Sequence, residues 1–302
     1  FAPLSARLVA QFVHEAGYPP GVFNMLFGDG PLVGQALVSH AEVDMVSFTG
    51  STAAGVAVAK AAADSVKRVV QELGGKSPNL VFADCDLDAA IGRGVRHCFN
   101  NSGQSCNAPT RLLVERSAYD QAVALAVQHG AQVQVAHPAQ RGNVIGPLAM
   151  QRQFETVQRY IAIGLAEGAR LVLGGPGRPV GFERGWYARP TIFADVRNDM
   201  RIAREEVFGP LLCLIVFDDE EDAIRIANDT PFGLAAYVNS GDPARAQRVA
   251  RRLRAGQVSI NGVGQDYCSP FGGFKQSGNG REWGRWGLQD YLEAKCINSQ
   301  HH

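Results

Sequence analysis

Short β-rich runs alternate with segments of helical apolar spacing along most of the chain, and this alternation limits the available folds more than any other feature. Parallel strands need crossover helices between them, so the pattern favours an α/β fold with a mostly parallel sheet covered on both faces. Strands are predicted at residues 22–27, 43–48, 66–73, 79–82, 110–114, 211–217 and 258–260. Helices are predicted at residues 4–16, 31–39, 51–63, 86–99, 151–167, 220–228 and 243–254.

Glycine-rich breaks indicate how the chain is divided. One α/β unit ends at Gly74-Gly75, and glycine-rich segments at 174–185 and 262–287 interrupt the alternation further on. The segment 289–298 is predicted to be an exposed strand that pairs with a partner, because an unpaired edge strand is an aggregation liability.

The composition argues against several classes of partner. The 302 residues include 29 basic and 29 acidic side chains, so the net charge is zero and indicates neither a nucleic-acid groove nor a membrane surface. No apolar run approaches the roughly 20 residues of a membrane helix, and the first residues lack the pattern of a signal peptide. None of the six cysteines forms a C-x-x-C pair. We therefore predict no metal site, and reduced thiols in a cytoplasmic protein.

Two side chains are candidates for covalent chemistry. Cys106 lies in a polar, glycine-bearing loop at 101–106, where a thiol is accessible, and cysteine suits acyl chemistry because it is intrinsically nucleophilic. Glu72 ends an apolar strand, so its carboxylate is expected to point into the cleft beyond that strand. Each also has an ordinary interpretation taken alone, as an inert loop thiol and as a solvated turn carboxylate.

Three further segments could contact a ligand. Residues 48–52 follow a strand and open a helix, so backbone N–H groups there could meet a pyrophosphate. At 205–210 a pair of carboxylates stands beside an aromatic ring and could hold a ribose, and the glycines at 270–278 suggest backbone packed closely against a site. The ordinary interpretations are an N-capped connection, a charged turn and a flexible loop.

The order and spacing of these five segments resemble the aldehyde dehydrogenase superfamily. The motifs are Phe-Thr-Gly-Ser at 48–51, Glu-Leu-Gly-Gly-Lys-Ser at 72–77, Gly-Gln-x-Cys at 103–106, Glu-Glu-x-Phe-Gly-Pro at 205–210 and Pro-Phe-Gly-Gly-x-Lys-x-Ser-Gly at 270–278. The resemblance extends from about residue 3 to residue 297. For Cys106, Glu72, Glu206 and Phe208 it outweighs the ordinary interpretations.

The resemblance implies an α/β fold of two domains. Residues 1–74 would be the C-terminal part of a Rossmann-like NAD(P)-binding domain with a parallel sheet, which is incomplete here, and 75–276 an α/β catalytic domain. Residues 277–288 would return to the cofactor domain, and 289–300 would be the oligomerisation strand of a homodimer or homotetramer.

The resemblance also implies oxidation of an aldehyde to a carboxylic acid with NAD or NADP. Cys106 would form a thiohemiacetal and then a thioester, with its own backbone N–H as one oxyanion donor, and Glu72 would activate the hydrolytic water. The other residues implied are Ser51, Gly50, Leu73, Glu206 and Phe208 for the cofactor, Phe271 at the substrate entrance, and Glu282 in a proton relay.

Several questions stay open at this point. In the family an Asn of the oxyanion hole, and a Lys and a Glu that bind the adenosine ribose, lie upstream of Phe1, so we expect the sequence to be a piece of a longer protein. One alternative is a CoA-acylating aldehyde dehydrogenase, although such relatives often lack a Glu at the position of Glu72, and another is an inactive oligomerisation fragment. The loop 265–267, where some relatives place an apolar aromatic, hints at a more polar aldehyde.

Overall fold

The computed structural model describes residues 3–142 and 144–299. The α-helices in this part of the chain are α1 Pro3–Glu15, α2 Gln35–Ser39, α3 Thr52–Ala62, α4 Leu87–Phe99, α5 Tyr119–Ala131, α6 Gln151–Ala166, α7 Arg201–Arg204, α8 Glu220–Asn228, α9 Pro243–Arg252 and α10 Gly284–Asp290. The strands are β1 Met45–Thr49, β2 Arg68–Glu72, β3 Pro78–Val81, β4 Arg111–Glu115, β5 Gln134–Val135, β6 Val144–Ile145, β7 Arg170–Leu173, β8 Thr191–Ala194, β9 Leu211–Phe217, β10 Phe232–Gly233, β11 Ala235–Asn239, β12 Gln257–Ile260, β13 Phe274–Lys275 and β14 Gly278–Asn279.

A seven-stranded sheet forms the centre of the fold, in the order β12-β11-β3-β4-β9-β8-β7. Its neighbouring strands are parallel except β7, which runs antiparallel to β8. This confirms the predicted α/β class and the mostly parallel sheet.

Alternate residues of the central strands enter two apolar layers, one on each face of the sheet. On β4, Leu113 belongs to the layer that includes residues of α6, α7, α8 and α9, whereas Leu112 and Val114 belong to the layer with α4 and α5. All three side chains are fully buried, and each such burial contributes about 1.5–3 kcal/mol to folding. Helices therefore cover both faces, as the sequence predicts.

A second, three-stranded sheet in the order β1-β2-β14 lies beside the candidate site. Strands β1 and β2 are parallel, with Thr49 opposite Glu72, and β14 runs antiparallel to β2, with Gly278 opposite Glu72. Glu72 is thus the last residue of a strand paired on both sides. Strand β14, which pairs with β2, lies within the predicted return segment. The division into domains, including that segment, stays a prediction.

The strand predicted at residues 22–27 is wrong. The segment has no regular structure, and Val22, Phe23, Leu26 and Phe27 are exposed. An extended run becomes a strand only by pairing its backbone with a neighbour, and no described strand lies beside this one.

The terminal segment also differs from the prediction. Gln289 and Asp290 end α10, and residues 292–299 pair with no strand of the described chain. Their role in oligomerisation stays a prediction. Residues 1–2 of the predicted first domain and residue 300 of the predicted strand lie outside the described residues.

Within the described ranges, every helix falls short of the length and apolar character that crossing a membrane requires.

Candidate active site

Cys106 lies in a turn between α4 and β4 that is closed by two hydrogen bonds. The N–H of Ala108 donates to the carbonyl oxygen of Ser105 at 3.1 Å, so the turn folds around the cysteine. The hydroxyl of Tyr237, on β11, donates to the carbonyl oxygen of Asn107 at 2.9 Å. The carbonyl oxygen and the N–H of the peptide group that joins Asn107 to Ala108 are therefore both hydrogen-bonded. Through Tyr237, a strand that is distant in sequence restrains the turn.

Gly75 packs directly against this turn. A Cβ at this position would overlap the carbonyl oxygen of Cys106, so a glycine is required where the chain leaves β2 and passes the cysteine. The glycine of the Glu-Leu-Gly-Gly motif thus brings the loop after Glu72 into contact with Cys106.

The surroundings of Cys106 act on its thiol in opposite directions. Burial raises the pKa of the Cys106 thiol, and the carboxylates of Glu206 and Glu72 raise it further. The backbone N–H groups of Cys106 and Asn107 lower the same pKa, because they can donate to the sulfur. Both groups are suitable donors to an oxyanion formed at this position.

Glu72 ends β2 and lines the same cavity as Cys106. The residue is 3% exposed, and neither carboxylate oxygen has a hydrogen-bond partner in the described part of the chain. Burial raises the pKa of Glu72 to about 8, the nearby Glu282 adds to the increase, and Arg281 opposes it. Gly272 covers the carboxylate so closely that a Cβ there would lie 2.7 Å from Oε1.

One cavity of about 610 Å³ contains Cys106, Glu72 and most of the other predicted site residues. The predicted residues that line it are Gly50, Ser51, Glu72, Leu73, Cys106, Glu206 and Phe208. Residues that line it without having been singled out individually are Thr49, Gly74, Gln104, Ser105, Asn107, Gln153, Thr156 and Val207. The volume is typical of a site for a sizeable organic ligand.

The Glu206–Phe208 side of the cavity is held by backbone and amide contacts. Glu206 Oε1 accepts a hydrogen bond from the N–H of Gly75 at 3.1 Å. Burial raises the pKa of Glu206, whereas this hydrogen bond and the positive charge of Lys76 lower it. The amide of Gln153, on α6, donates to the carbonyl oxygens of Val207 and Phe208, each at 2.8 Å. Phe208 is 38% exposed on the cavity wall.

Helix α3 begins directly after cavity-lining residues. Ser51 is its N-cap, and its hydroxyl accepts the N–H of Ala54 at 3.3 Å. The Thr52 hydroxyl donates to the carbonyl oxygen of Gln276 at 3.1 Å, which ties the helix start to the loop that covers Glu72. The ordinary N-cap interpretation and the ligand interpretation of this segment are compatible, because the capped turn also lines the cavity.

Phe271 and Glu282 lie together but do not line this cavity. Each donates its backbone N–H to the other's carbonyl oxygen, at 2.8 and 2.7 Å, and the Phe271 ring packs against Trp283 with centroids 4.7 Å apart. Glu282 affects the site electrostatically, because its negative charge raises the pKa of Glu72.

Gln153 and Tyr237 are two residues with contacts to the site that sequence reasoning missed. Both are polar side chains on otherwise packed elements, and they contact the site from distant parts of the chain. A polar residue on the inward face of a helix or strand is the only local signal that could have indicated them.

Comparison with known proteins identifies similar chains. Residues 1–297 match the sequence profile described as the aldehyde dehydrogenase family. A 3-succinoylsemialdehyde-pyridine dehydrogenase from a Pseudomonas species is 53% identical over 296 residues, which cover 98% of this chain and 62% of that protein. The chain thus spans about three fifths of the length of such curated relatives.

Solved structures show the same similarity. Aldehyde dehydrogenase C from Pseudomonas syringae, in a complex with NAD⁺ and octanal, is 52% identical with a TM-score of 0.96, covering 98% of this chain and 61% of that one. Betaine aldehyde dehydrogenase from Staphylococcus aureus, in a complex with NAD⁺, is 36% identical with a TM-score of 0.94, covering 97% of this chain and 58% of that one.

Proposed function

The chain belongs to the aldehyde dehydrogenase family, and from that premise we propose that it carries the catalytic centre of an NAD-dependent enzyme that oxidises an aldehyde to a carboxylic acid. The observation that supports this most is the single cavity in which Cys106, Glu72 and Glu206 meet. A nucleophile and a buried, unpartnered carboxylate in one cavity are what covalent catalysis followed by hydrolysis requires.

The residues of the cavity fit a dinucleotide. The capped turn at Ser51 offers a helix N-terminus to a pyrophosphate, the Glu206 carboxylate can accept a hydrogen bond from a ribose hydroxyl, and the exposed Phe208 ring can pack on a planar ring. When bound, NAD supplies the acceptor for the hydride. Relatives solved with NAD⁺ support NAD, and NADP is the alternative.

Cys106 performs the first step of the proposed reaction. Its sulfur bonds to the aldehyde carbon, its proton leaves to a base, and the aldehyde oxygen becomes an oxyanion that the N–H groups of Cys106 and Asn107 can stabilise. Loss of hydride from that carbon then leaves a thioester on Cys106.

Glu72 performs the second step. Its carboxylate takes a proton from a water, the resulting hydroxide attacks the thioester carbon, and the carbon–sulfur bond breaks to release the acid and the thiol. The two unpartnered oxygens of Glu72 can bind such a water. This carboxylate favours hydrolysis over transfer to CoA, and an organised cavity is not needed by an inactive oligomerisation fragment.

The substrate is proposed only as an aldehyde with an organic tail. Relatives are named for 3-succinoylsemialdehyde-pyridine or were solved with octanal, which are different aldehydes. The cytoplasmic location and the homodimer or homotetramer also stay predictions.

The nucleophile provides the direct test. In the full-length protein, Cys106→Ala is expected to abolish aldehyde-dependent NADH formation and any ester hydrolysis together, by several orders of magnitude, because both need the same thiol. Cys85→Ala is the matched control, since Cys85 is also partly buried but does not line the cavity. Substantial oxidation by Cys106→Ala, or its loss in Cys85→Ala alone, would refute the proposal.

A further inference from the structure

A second cavity, of about 220 Å³, lies on the face of the central sheet beside α4. Asn79, Tyr237 and Ser259 stand side by side in register on β3, β11 and β12 and form its floor. Arg93 from α4 and the loop that begins at Gly262 form its walls. A cavity of about 150 Å³ is enough to hold a benzene ring, so this one can accept a ring or a short chain.

The second cavity meets the candidate active site at Asn107. This residue lines both cavities and directly follows Cys106. The hydroxyl of Tyr237, in the floor of the second cavity, donates to the carbonyl oxygen of Asn107. Burial and the nearby Cys106 thiolate raise the pKa of Tyr237, which agrees with their closeness. A single residue thus lies between the two cavities, and a substrate tail that extended from Cys106 past Asn107 would enter the second one.

Arg93 gives the second cavity a positive charge that forms no ion pair with a carboxylate of the described residues. Its Nη2 donates to the Asn239 side-chain oxygen at 3.2 Å, while its buried Nε has no hydrogen-bond partner among the described residues. No carboxylate in the described ranges forms an ion pair with Arg93, and no Asp or Glu lines the cavity. The guanidinium lines the cavity without a carboxylate partner, so an anionic ligand in the cavity would gain a charge-assisted hydrogen bond from it.

The absence of a side chain at Gly262 lets the loop pack closely against the Arg93 guanidinium. Gly262 has φ of +77°, which favours glycine, and a Cβ there would lie 2.5 Å from Nε of Arg93. The amides of Gln257 and Gln265 are nearby in the wall and can donate to a second oxygen. Among the described residues, the lining of the cavity thus includes the Arg93 cation and several neutral donors but no carboxylate.

We propose that this cavity is a substrate subsite that binds the carboxylate of an ω-oxo acid through Arg93, while the aldehyde carbon lies at Cys106. The proposal rests on the proposed function, and it narrows the substrate class to semialdehydes of dicarboxylic acids. A carboxylate accepts from a guanidinium in a charge-assisted hydrogen bond, which is stronger than a bond between neutral groups.

Paired substrates provide the test in the full-length protein. Butanal, hexanal and octanal are compared with succinate, adipate and suberate semialdehydes, which differ from them only in the distal carboxylate. We expect kcat/KM to favour at least one semialdehyde over its matched alkanal by roughly tenfold or more.

Substitution of Arg93 identifies the cause of that preference. Arg93→Met is expected to raise KM for the preferred semialdehyde by roughly 10–100-fold, with little change for the matched alkanal, because only the carboxylate loses a partner. Arg93→Lys should restore part of the effect, since it keeps the charge but not the planar fork. Arg96→Gln is the control on the same helix, because Arg96 is exposed and outside this cavity.

A binding measurement complements the kinetics. Calorimetric titration of Cys106→Ala protein with the semialdehyde should show binding that Arg93→Met removes. The subsite is refuted if the alkanals are oxidised through Cys106 but no semialdehyde is preferred. It is also refuted if Arg93→Met impairs oxidation of both substrates of a pair equally, which is the effect expected of a purely structural residue. Failure of every aldehyde to produce NADH instead overturns the proposed function, and the subsite with it.

Discussion

At the scale of single residues, Glu72 illustrates how burial sets proton affinity. Removal from water and the neighbouring Glu282 raise its pKa to about 8, against the opposing charge of Arg281. A carboxylate with this pKa changes its protonation near neutral pH, where a general base is most effective. Only the ionised form accepts a proton, so a step that depends on Glu72 must accelerate as the pH rises through about 8.

This leads to a pH prediction for thioester hydrolysis. In single-turnover experiments, the hydrolysis rate of the acylated enzyme is expected to rise with pH and level off above about 8. Glu72→Gln should lose that pH dependence and hydrolyse roughly 10²–10⁴-fold more slowly, while the first turnover still yields NADH. Intact-mass spectrometry should then detect the thioester on Cys106. Unchanged steady-state turnover by Glu72→Gln would refute the role of the carboxylate.

The nucleophile and the base were predictable from sequence for a reason that Gln153 lacks. Cys106 and Glu72 stand in short motifs whose order along the chain is itself a signal. Gln153 contacts residues 54 and 55 positions away and stands in no such motif. Tertiary packing brings the Gln153 amide to two carbonyl oxygens. No local sequence pattern predicts these contacts.

At the scale of elements, β11 supports the turn that carries Cys106. The Tyr237 hydroxyl binds the carbonyl of Asn107, and the N–H of the same peptide group binds Ser105, so the two hydrogen bonds reinforce each other. This restraint keeps the N–H groups of Cys106 and Asn107 directed at the sulfur, where they lower its pKa.

Removal of the Tyr237 hydroxyl should therefore change the chemistry of the thiol. Tyr237→Phe is expected to move the pH profile of Cys106 alkylation by iodoacetamide to higher pH and to slow alkylation several-fold near neutral pH, because the thiolate loses oriented donors. Tyr119→Phe is the matched control, since its hydroxyl donates to Leu214 in the core. An identical alkylation profile for Tyr237→Phe and the unaltered protein would contradict the role of this hydroxyl.

The elements themselves were predictable where local and tertiary signals agree. Helices α4, α8 and α9 begin directly after Asp86, Asp219 and Asp242, whose side chains accept backbone N–H groups of the first turn, as N-caps do. Residues 22–27 have an equally strong apolar signal but no described strand beside them. Pairing depends on distant parts of a chain, so local sequence cannot settle it.

At the scale of the whole molecule, apolar surface is distributed unevenly. The central sheet is covered on both faces, whereas α1 has no buried residue. Leu4, at 74% exposure, shares this exposed helix with Leu8 and Phe12, and the apolar side chains of residues 22–27 are exposed as well. Exposed large apolar side chains in this number favour association, because association removes them from water.

The 302-residue chain expressed by itself is consequently expected to elute from size-exclusion chromatography as large oligomers. Replacing Leu4, Leu8 and Phe12 together with Ser should shift elution toward smaller species, because it removes the apolar face of α1. Val180→Ser is the matched control, since Val180 is 94% exposed but far along the chain from that face, and it should leave the elution profile unchanged. A discrete monomer of the unaltered chain, or an unchanged elution profile of the triple Ser variant, would show that the exposed face of α1 does not govern its association.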